Sequence, residues 1–293
     1  MTIGILYESN EWSDFALRDH IASMGAPVKM FDLMKDPDTE ELLSCALIVN
    51  RVFASAVFRG HEKALEKMPA VIELLGERCV RMINPAEAHY YEISKTRSKK
   101  SLIANGFPVP KLYDILSPLE EPVIATASEA RREAIQYPCV VKPDCGGRTN
   151  YTFIINSREE IGECMSGAPK IDFIAEEYIC PEYGFVTRVE IIDGDLRLSV
   201  KRSVTEGGLS AYHLGSEYEI YTDLSDDIKN TAVKAMDRLC IEAGSMDIIE
   251  NESGFYIIDV NAVSNVSEDN TDMFKFDLMK ETAAYAVKIY GNL

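Results

Sequence analysis

Basic residues are scarce in this sequence. Its 293 residues include 30 Lys and Arg against 48 Asp and Glu, which gives a formal net charge of −18 at pH 7. Because nucleic-acid binding needs clustered Lys and Arg to neutralise phosphates, the composition argues against a general nucleic-acid-binding surface. It does not exclude a nucleotide, since local cations and a bound metal ion outweigh a screened global field.

Paired cysteines and long apolar runs are also missing. The seven cysteines are an odd number and form no C-x-x-C pair, which predicts reduced thiols rather than a zinc ribbon or a closed disulfide framework. The chain opens on a strand-like run without a basic n-region, and no apolar stretch is long enough to cross a bilayer. These features predict a cytoplasmic protein without a membrane partner.

Two familiar catalytic patterns do not occur. No histidine has a spacing typical of a Ser-His-Asp triad or of a metal site; the four are His20, His61, His89 and His213. The P-loop pattern G-x-x-x-x-G-K-[ST] before a helix is absent too. Lysines, arginines, carboxylates and amides are the remaining candidates for phosphate and metal chemistry.

The first 83 residues alternate between β-prone and helical segments. The hydrophobic pattern predicts strands over residues 3–7, 28–31, 46–50 and 79–83, and helices over residues 14–24 and, with an interruption at Pro69, 55–75. This order predicts a small parallel sheet covered by helices. Arg51 follows one strand at its carboxyl end, where open α/β sheets place ligands, so it either faces a cleft or forms a surface ion pair.

A predicted hairpin brings two carboxylates and an amide together. The β-prone runs 246–249 and 255–260 are joined by Asn-Glu-Ser-Gly, which is typical of a turn, and their pairing places Asp247 beside Asp259. Asn261 lies one pleat period beyond Asp259, on the same face of the strand. Oxygen ligands of this kind suit Mg²⁺, which takes one or two carboxylates together with nucleotide phosphates. The alternative is an exposed hairpin whose acids are solvated.

A lysine and a glycine-rich turn follow one another between two predicted strands. A helix is predicted over residues 128–136; the run Cys-Val-Val-Lys-Pro then carries Lys142, and the loop Asp-Cys-Gly-Gly-Arg-Thr-Asn returns into a second strand. Lys142 and the backbone amides of Gly146 and Gly147 would face one point, and Arg148 adds a positive charge. This arrangement favours a phosphate site, with a plain β-hairpin as the alternative.

The order of these motifs resembles one family, the ATP-grasp carboxylate–amine ligases of the RimK and LysX-like branch. The resemblance covers almost the whole chain. It rests on a lysine ahead of a Gly-x-Pro-x-Pro turn (Lys95, 106–110), the lysine and glycine loop (140–147), Glu-Glu-Tyr-Ile (176–179), an Arg-led hairpin (187–202) and the paired strands 246–249 and 258–261. It implies an ATP-grasp fold of the α/β class with α+β lobes. The implied domains are a small parallel α/β pre-ATP-grasp domain (1–83), a central lobe (84–180) and a C-terminal lobe (181–293).

In that family ATP lies between the central and C-terminal lobes. The resemblance places Lys95 and Lys142 on its phosphates and the backbone of Glu177 and Ile179 on the adenine. It places Glu182 on the ribose, where the branch carries an aspartate. The full set of implied nucleotide-binding residues is Lys95, Lys142, Gly146, Gly147, Arg148, Glu176, Glu177, Tyr178, Ile179, Glu182 and Lys201.

The resemblance also implies the reaction. An ADP-forming ligase transfers the γ-phosphoryl group of ATP to a carboxylate, and an amine attacks the resulting acyl phosphate. Arg188 and Arg202 would hold the substrate carboxylate or the tetrahedral oxyanion, since a guanidinium pairs bidentately with either. Mg²⁺, with Mn²⁺ as an alternative, would be bound by Asp247, Asp259 and Asn261. The implied partners are small-molecule or peptide carboxylates and amines, and a homo-oligomer is left open.

Departures from the family pattern concern the glycine loop and the acceptor pocket. Arg148 stands where a further glycine is common. The stretch 206–213 lacks the Arg-x-Asn typical of the branch, and Asn261 is followed by Ala-Val-Ser-Asn rather than a Pro-Gly turn. We therefore expect retained nucleotide binding beside a divergent acceptor pocket. Two alternatives stay open: a regulatory nucleotide-binding protein without turnover, and an ATP-grasp enzyme with a different acyl acceptor.

Overall fold

Three β-sheets with helices packed against them form the part of the chain that the structure describes. The structure is a computed structural model that describes residues 1–116, 134–165 and 167–293. The helix predicted over residues 128–136 lies mostly outside the described residues. Among the helices within these ranges, none combines the length and the apolar character that crossing a bilayer requires.

The N-terminal unit is a four-stranded parallel sheet in the order β2-β1-β3-β4. Its strands are β1 (Ile3–Tyr7), β2 (Val28–Asp32), β3 (Leu47–Arg51) and β4 (Arg81–Ile83). Its helices are α1 (Trp12–Ser23), α2 (Thr39–Leu43), a 3-10 helix (Ala54–Phe58) and α3 (Glu62–Glu77). Strand β3 is buried along its whole length, as expected of a central strand in a parallel sheet.

Helix α3 continues through Pro69, so the predicted interruption at this residue is wrong. The break falls earlier, at Gly60, whose φ of +74° separates the 3-10 helix from α3. A proline inside a helix costs about 3 kcal/mol. Burial of a large aliphatic side chain contributes about 1.5–3 kcal/mol, so the buried face of α3 outweighs that cost. Its large buried residues are Met68, Val71, Ile72 and Leu75.

The middle unit begins with helices α4 (Ala86–Glu92) and α5 (Lys95–Ala104). An antiparallel sheet follows in the order β5-β8-β6-β7, with a short helix α6 (Glu160–Cys164). Its strands are β5 (Leu112–Leu116), β6 (Cys139–Pro143), β7 (Phe153–Ile155) and β8 (Phe173–Glu177). The turn between β6 and β7 is longer than predicted, because Arg148, Thr149 and Tyr151 have φ of +59°, +55° and +53° and extend the loop.

The C-terminal unit is a five-stranded antiparallel sheet in the order β11-β10-β9-β12-β13. Its strands are β9 (Phe185–Ile192), β10 (Asp195–Ser203), β11 (Tyr218–Ile220), β12 (Ala243–Asn251) and β13 (Gly254–Asn261). Its helices are a 3-10 helix (Tyr212–Leu214), α7 (Asp226–Arg238), α8 (Glu268–Phe274) and α9 (Leu278–Tyr290). The β12–β13 hairpin pairs Asp247 with Asp259, as the sequence predicts.

Two separate helices, α8 and α9, form the closing segment. Lys275, with φ of +50°, ends α8, and the side chain of Asp277 caps α9. Helix α9 then packs on the N-terminal unit, where Leu278 and Tyr285 share a core with Leu17 of α1. The three sheets fall within the ranges 1–83, 84–180 and 181–293, and these domain boundaries stay a prediction.

Candidate active site

A cavity of about 770 Å³ opens between the three units. Both antiparallel sheets, the glycine-rich loop after β6 and the segments that follow β1 and β3 contribute to its lining. The predicted site residues that line it are Lys95, Lys142, Gly146, Gly147, Arg148, Glu176, Glu177, Tyr178, Ile179, Arg188, Arg202, Asp247, Asp259 and Asn261.

Strand pairing aligns the charged residues of the five-stranded sheet. Arg188 of β9 is the cross-strand neighbour of Asp247, which in turn pairs with Asp259. The carboxylate of Asp247 forms a salt bridge with Arg202 at 2.8 Å and lies 3.4 Å from the guanidinium of Arg188. Both Asp247 and Arg202 are buried. Two arginines and two carboxylates therefore meet on one face of the sheet.

The glycine-rich loop fixes the position of Lys95 at the start of α5. The side chain of Asp144 accepts a hydrogen bond from Ser94 Oγ at 2.8 Å, and its carbonyl accepts one from the Lys95 amide at 3.0 Å. The Lys95 ammonium donates to the carbonyl of Gly146 at 2.8 Å and lies 3.6 Å from Asp259. The cation and the loop thus form one structural unit.

Lys142 belongs to a buried ionic cluster centred on Glu176. Its ammonium lies 2.9 Å from Glu176 and donates to the carbonyl of Ile258 at 2.9 Å. Lys99 pairs with the same carboxylate. Burial alone raises the pKa of Glu176, but the two lysines outweigh this effect and hold the pKa below its ordinary value. The carboxylate is therefore a counter-ion for lysines, a role that its assignment to nucleotide binding from the sequence did not anticipate.

Close contact with the N-terminal unit shapes the glycine loop. A Cβ on Gly146, whose φ is +150°, would lie 2.5 Å from the ring of Phe58. Arg148 forms a salt bridge with Glu11 at 2.6 Å. The loop therefore packs against the N-terminal unit, and the charge that the sequence assigned to phosphates is paired with a carboxylate in this structure.

Part of the cavity wall is apolar. Ile179, Val186 and Ile249 form a buried cluster there, and Tyr178 lines the same cavity. The backbone N–H of Glu177 donates to the carbonyl of Lys111 at 2.9 Å, so this donor is already used. An apolar slot of this kind can enclose a planar base.

Two predicted residues lie away from the cavity. Neighbouring residues of a strand point to opposite faces, so Lys201 lies on the far side of β10, over the rings of Phe185 and Tyr221 at 4.7 and 4.2 Å from their centroids. Glu182 is exposed and accepts a hydrogen bond from the Glu252 amide at 2.9 Å, in the β12–β13 turn. The nucleotide contacts expected of Lys201 and Glu182 are not supported by these positions.

The side chains of Asp247, Asp259 and Asn261 carry oxygen atoms of the kind that bind a hard metal ion. Nδ2 of Asn261 is buried without a hydrogen-bond partner among the described residues. Although burial raises the pKa of Asp259, Lys95 and Lys142 lower it below its ordinary value, so the carboxylate is charged. Within residues 1–116, 134–165 and 167–293 no group of three or more His, Cys, Asp or Glu side chains could hold a metal. A metal here would depend on two carboxylates, one amide and ligand oxygens, which is a set that suits Mg²⁺.

Arg51 lies neither in the cleft nor on the surface. Only 3% of it is exposed, and it does not line the large cavity. Its Nε donates to Asp14 at 2.9 Å, and Nη1 donates to the carbonyl of Ser264 at 2.7 Å. Arg51 therefore neither faces the cleft nor forms a surface ion pair, the two roles considered from the sequence. It is a buried residue that connects the N-terminal unit to the segment after β13 by hydrogen bonds.

Sequence reasoning missed Glu92, which joins two units at the cavity wall. Its carboxylate accepts hydrogen bonds from the amides of Ala54 at 3.1 Å and of Ala262 at 2.7 Å. One indication of its burial was present in the sequence, because Glu92 is the only charged residue in the run Tyr-Tyr-Glu-Ile at the end of α4. Lys99 was visible only as part of a basic helical cluster.

The family model for the RimK-like ATP-grasp domain matches residues 93–285, which is most of the chain. The chain belongs to this RimK-like ATP-grasp family. The predicted family and the α/β ATP-grasp fold are therefore confirmed.

The chain is also similar to curated D-alanine–D-alanine ligases. It is 31% identical to the one from Pediococcus pentosaceus over 140 residues, 44% of this chain and 39% of that enzyme. It is 24% identical to the one from Francisella philomiragia over 247 residues, 80% of this chain and 77% of that enzyme. The chain thus aligns with less than half of the Pediococcus ligase.

Solved structures share the fold over almost the whole chain. The ATP-grasp ligase PsnB, solved with its precursor peptide PsnA2 and AMPPNP, superimposes with a TM-score of 0.66 at 16% identity. The match covers 98% of this chain and 96% of PsnB. At this identity the likeness establishes the fold alone.

Proposed function

We propose that this protein is an ADP-forming ligase that joins a carboxylate to an amine through an acyl phosphate. The observation that carries this proposal is the convergence of cations and oxygen ligands on one cavity. The residues concerned are Lys95, Lys142, Arg188, Arg202, Asp247, Asp259 and Asn261. Phosphoryl transfer is catalysed mainly by such positioning and charge neutralisation.

ATP and Mg²⁺ are the proposed cofactors. A PsnB structure contains Mg and ADP, which supports the same pair here. Lys95 and Lys142 would hold phosphates, and the slot formed by Ile179, Val186 and Ile249 would enclose the adenine. The residues proposed to hold the metal are Asp247, Asp259 and Asn261. Mg²⁺, or Mn²⁺ in its place, supplies positive charge to the phosphate oxygens.

The proposed chemistry has two balanced steps. A substrate carboxylate oxygen forms a bond to the γ-phosphorus while the bond to the β,γ-bridging oxygen breaks, and ADP leaves. An amine then attacks the carbonyl carbon, inorganic phosphate leaves, and the nitrogen loses a proton. The guanidinium groups of Arg188 and Arg202 stabilise the negative charge on the carbonyl oxygen.

The substrate end of the cavity favours an apolar or aromatic group. Tyr212, Tyr218 and Phe274 line it, with ring centroids 6.0 Å apart for Tyr212–Tyr218 and 6.2 Å apart for Tyr218–Phe274. Tyr212 is 56% exposed, and so much free aromatic surface at a cavity mouth indicates a binding site. We therefore favour a small-molecule or peptide substrate with a bulky apolar side chain over one as small as alanine.

We also propose a cytoplasmic location and no nucleic-acid partner. All seven cysteines are free, which is consistent with a cytoplasmic location. The net charge of −18 supports the absence of a nucleic-acid partner, and a homo-oligomer stays open.

Release of ADP and phosphate tests this function directly. Purified protein is incubated with ATP and Mg²⁺ against pairs of carboxylates and amines, including Phe, Leu and Ala, free and as dipeptides. We expect release that requires both members of one pair and is faster for Phe or Leu than for Ala. Absence of release with every pair, including peptides, contradicts the ligase proposal.

One observation favours the alternative of a nucleotide-binding regulator. The oxygens of Asp247 pair with Arg188 and Arg202, so a metal must compete with two arginines for this ligand. A regulator would bind ATP, as seen by thermal shift, yet release no ADP with any pair. The ligase binds ATP and turns it over.

A further inference from the structure

Glu190 is a buried carboxylate of the cavity that the proposed reaction leaves without a role. It lies two residues after Arg188 in β9, so both side chains project from the same face of the strand. Only 4% of Glu190 is exposed. Its Oε1 accepts a hydrogen bond from Arg188 Nε at 2.8 Å, and its Oε2 accepts one from Ser264 Oγ at 2.6 Å.

The neighbouring side chains contact all three nitrogens of the Arg188 guanidinium. Nε is bound by Glu190, Nη2 by the hydroxyl of Ser245, and Nη1 lies 3.4 Å from Asp247. A guanidinium is planar, so a fixed Nε fixes the direction in which the two Nη groups point. A carboxylate is the strongest available acceptor for this purpose, because a charge-assisted hydrogen bond is about twice as strong as a neutral one.

The same carboxylate connects the arginine to the N-terminal unit. Ser264, which binds Glu190 through its hydroxyl, accepts a hydrogen bond from Arg51 through its carbonyl at 2.7 Å. Arg51 is in turn paired with Asp14. A continuous buried chain of hydrogen bonds therefore runs from α1 to Arg188.

We propose that Glu190 is a positioning residue, which fixes the guanidinium of Arg188 toward the reacting carbonyl. This inference rests on the ligase function proposed above. Its contribution appears only when charge develops on the carbonyl oxygen, so loss of Glu190 lowers kcat and leaves the KM for ATP unchanged.

The test compares Glu190→Gln and Glu190→Ala with a matched control, Glu250→Gln. Glu250 also bonds to β9, through the Thr187 hydroxyl at 2.7 Å, but does not line the cavity. We expect kcat to fall about 10-fold for the glutamine, which retains an acceptor, and about 100-fold for the alanine, with no change for the control.

A second readout reports the arginine without requiring turnover. In ¹⁵N-edited spectra the hydrogen-bonded Nε–H of Arg188, assigned by its absence in Arg188→Lys, exchanges slowly with water. We expect this signal to be weakened in Glu190→Gln, whose amide oxygen can still accept the bond, lost in Glu190→Ala and retained in Glu250→Gln. Ser264→Ala removes one of the two contacts of Glu190, so its kcat should fall between those of wild type and Glu190→Gln.

The outcomes separate this inference from the proposed function. Retention of the Arg188 signal in Glu190→Ala, or an unchanged kcat despite its loss, overturns the positioning role. A fall in melting temperature without a change in kcat per folded molecule would reveal a merely structural role and also overturns it. A wild-type protein that releases no ADP with any pair overturns the ligase function and the catalytic part of this inference, whereas the Nε signal still decides whether Glu190 orients Arg188.

Discussion

Lys142 and Glu176 form an ion pair of 2.9 Å in which both residues are buried. A second lysine, Lys99, pairs with the same carboxylate, so the cluster carries one net positive charge. That excess charge faces the cavity through Lys142, which lines it. If Glu176 paired with Lys142 alone, the pair would be neutral and would attract phosphates only weakly. Because Lys99 also pairs with Glu176, a net positive charge remains to attract them.

Replacing Lys142 by alanine should weaken ATP binding about 10- to 100-fold, the loss of one hydrogen bond to a charged group. Lys99 still neutralises Glu176 in this variant, so the fold should persist. Calorimetric titration with AMPPNP and Mg²⁺ measures the effect. Lys111→Ala is the control, since Lys111 does not line the cavity and lies over the ring of Tyr113 at 5.4 Å. Wild-type affinity of Lys142→Ala would count against the phosphate role.

Asp259→Ala should abolish the dependence of nucleotide binding on Mg²⁺ and lower ADP formation by about 100-fold or more. The removed carboxylate is one of two charged oxygen ligands proposed for the metal. AMPPNP titrations with and without Mg²⁺, together with circular dichroism, separate this effect from unfolding. Asp195→Ala, at a largely exposed site of the same sheet, should behave as wild type. Unchanged turnover of Asp259→Ala in Mg²⁺ buffer removes the metal assignment.

Gly146→Ala should destabilise the protein by about 1–3 kcal/mol, because the new methyl group meets the Phe58 ring in a conformation that favours glycine. ATP affinity should fall with it, since the loop shifts. Urea unfolding measures the free energy. The double variant Gly146→Ala with Phe58→Ala relieves the contact, so its loss should be smaller than the sum of the single losses. Gly76→Ala, in a helix with nothing near the new methyl group, should be neutral or stabilising.

His89 should make the protein less stable in acid. Burial lowers its pKa from 6.5 to about 4, so only the unfolded chain takes up a proton as the pH falls below 6.5. Between pH 7.5 and pH 5 wild type should therefore lose about 2 kcal/mol more than His89→Gln. Free energies of urea unfolding at the two pH values test this. An equal loss in both proteins would contradict a buried neutral histidine.

Asp14 should show the opposite dependence on pH. Burial raises its pKa from 3.8 to about 6 despite the nearby Arg51. The folded state then binds a proton that the unfolded state lacks, so stability falls as the pH rises from 3.8 to 6. Relative to Asp14→Asn, wild type should gain about 2 kcal/mol between pH 7 and pH 4.5. A difference that does not vary with pH would show that Arg51 keeps Asp14 ionised.

The sequence predicted the parts of the site that depend on local pattern. The turn Asn-Glu-Ser-Gly and the two β-prone runs were sufficient to pair Asp247 with Asp259. The alternation of side chains along a strand also predicts the position of Lys201. Because its neighbour Arg202 faces the cavity, Lys201 must face away from it. Motif order placed both residues in the site, although the pleat allows only one of them.

Long-range partners could not be derived in this way. The contact of Glu190 with Ser264 spans 74 residues, and that of Arg51 with the Ser264 carbonyl spans 213. Nothing in the local sequence distinguishes these side chains from solvated ones. The continuation of α3 through Pro69 is of the same kind, since tertiary burial of one helix face overrides the local preference.

Helix α9 packs on the N-terminal unit but is synthesised last, so the core of this unit is incomplete during most of translation. The strands that contain Ile3 and Leu47 leave the ribosome early, yet Leu278 and Tyr285 complete their core. At about 5–20 residues per second, that apolar surface stays uncovered for roughly ten seconds or more. Chaperones can bind this exposed apolar surface of the nascent chain. Ribosomes stalled before residue 278 should therefore carry an incompletely folded N-terminal unit with a chaperone bound to it.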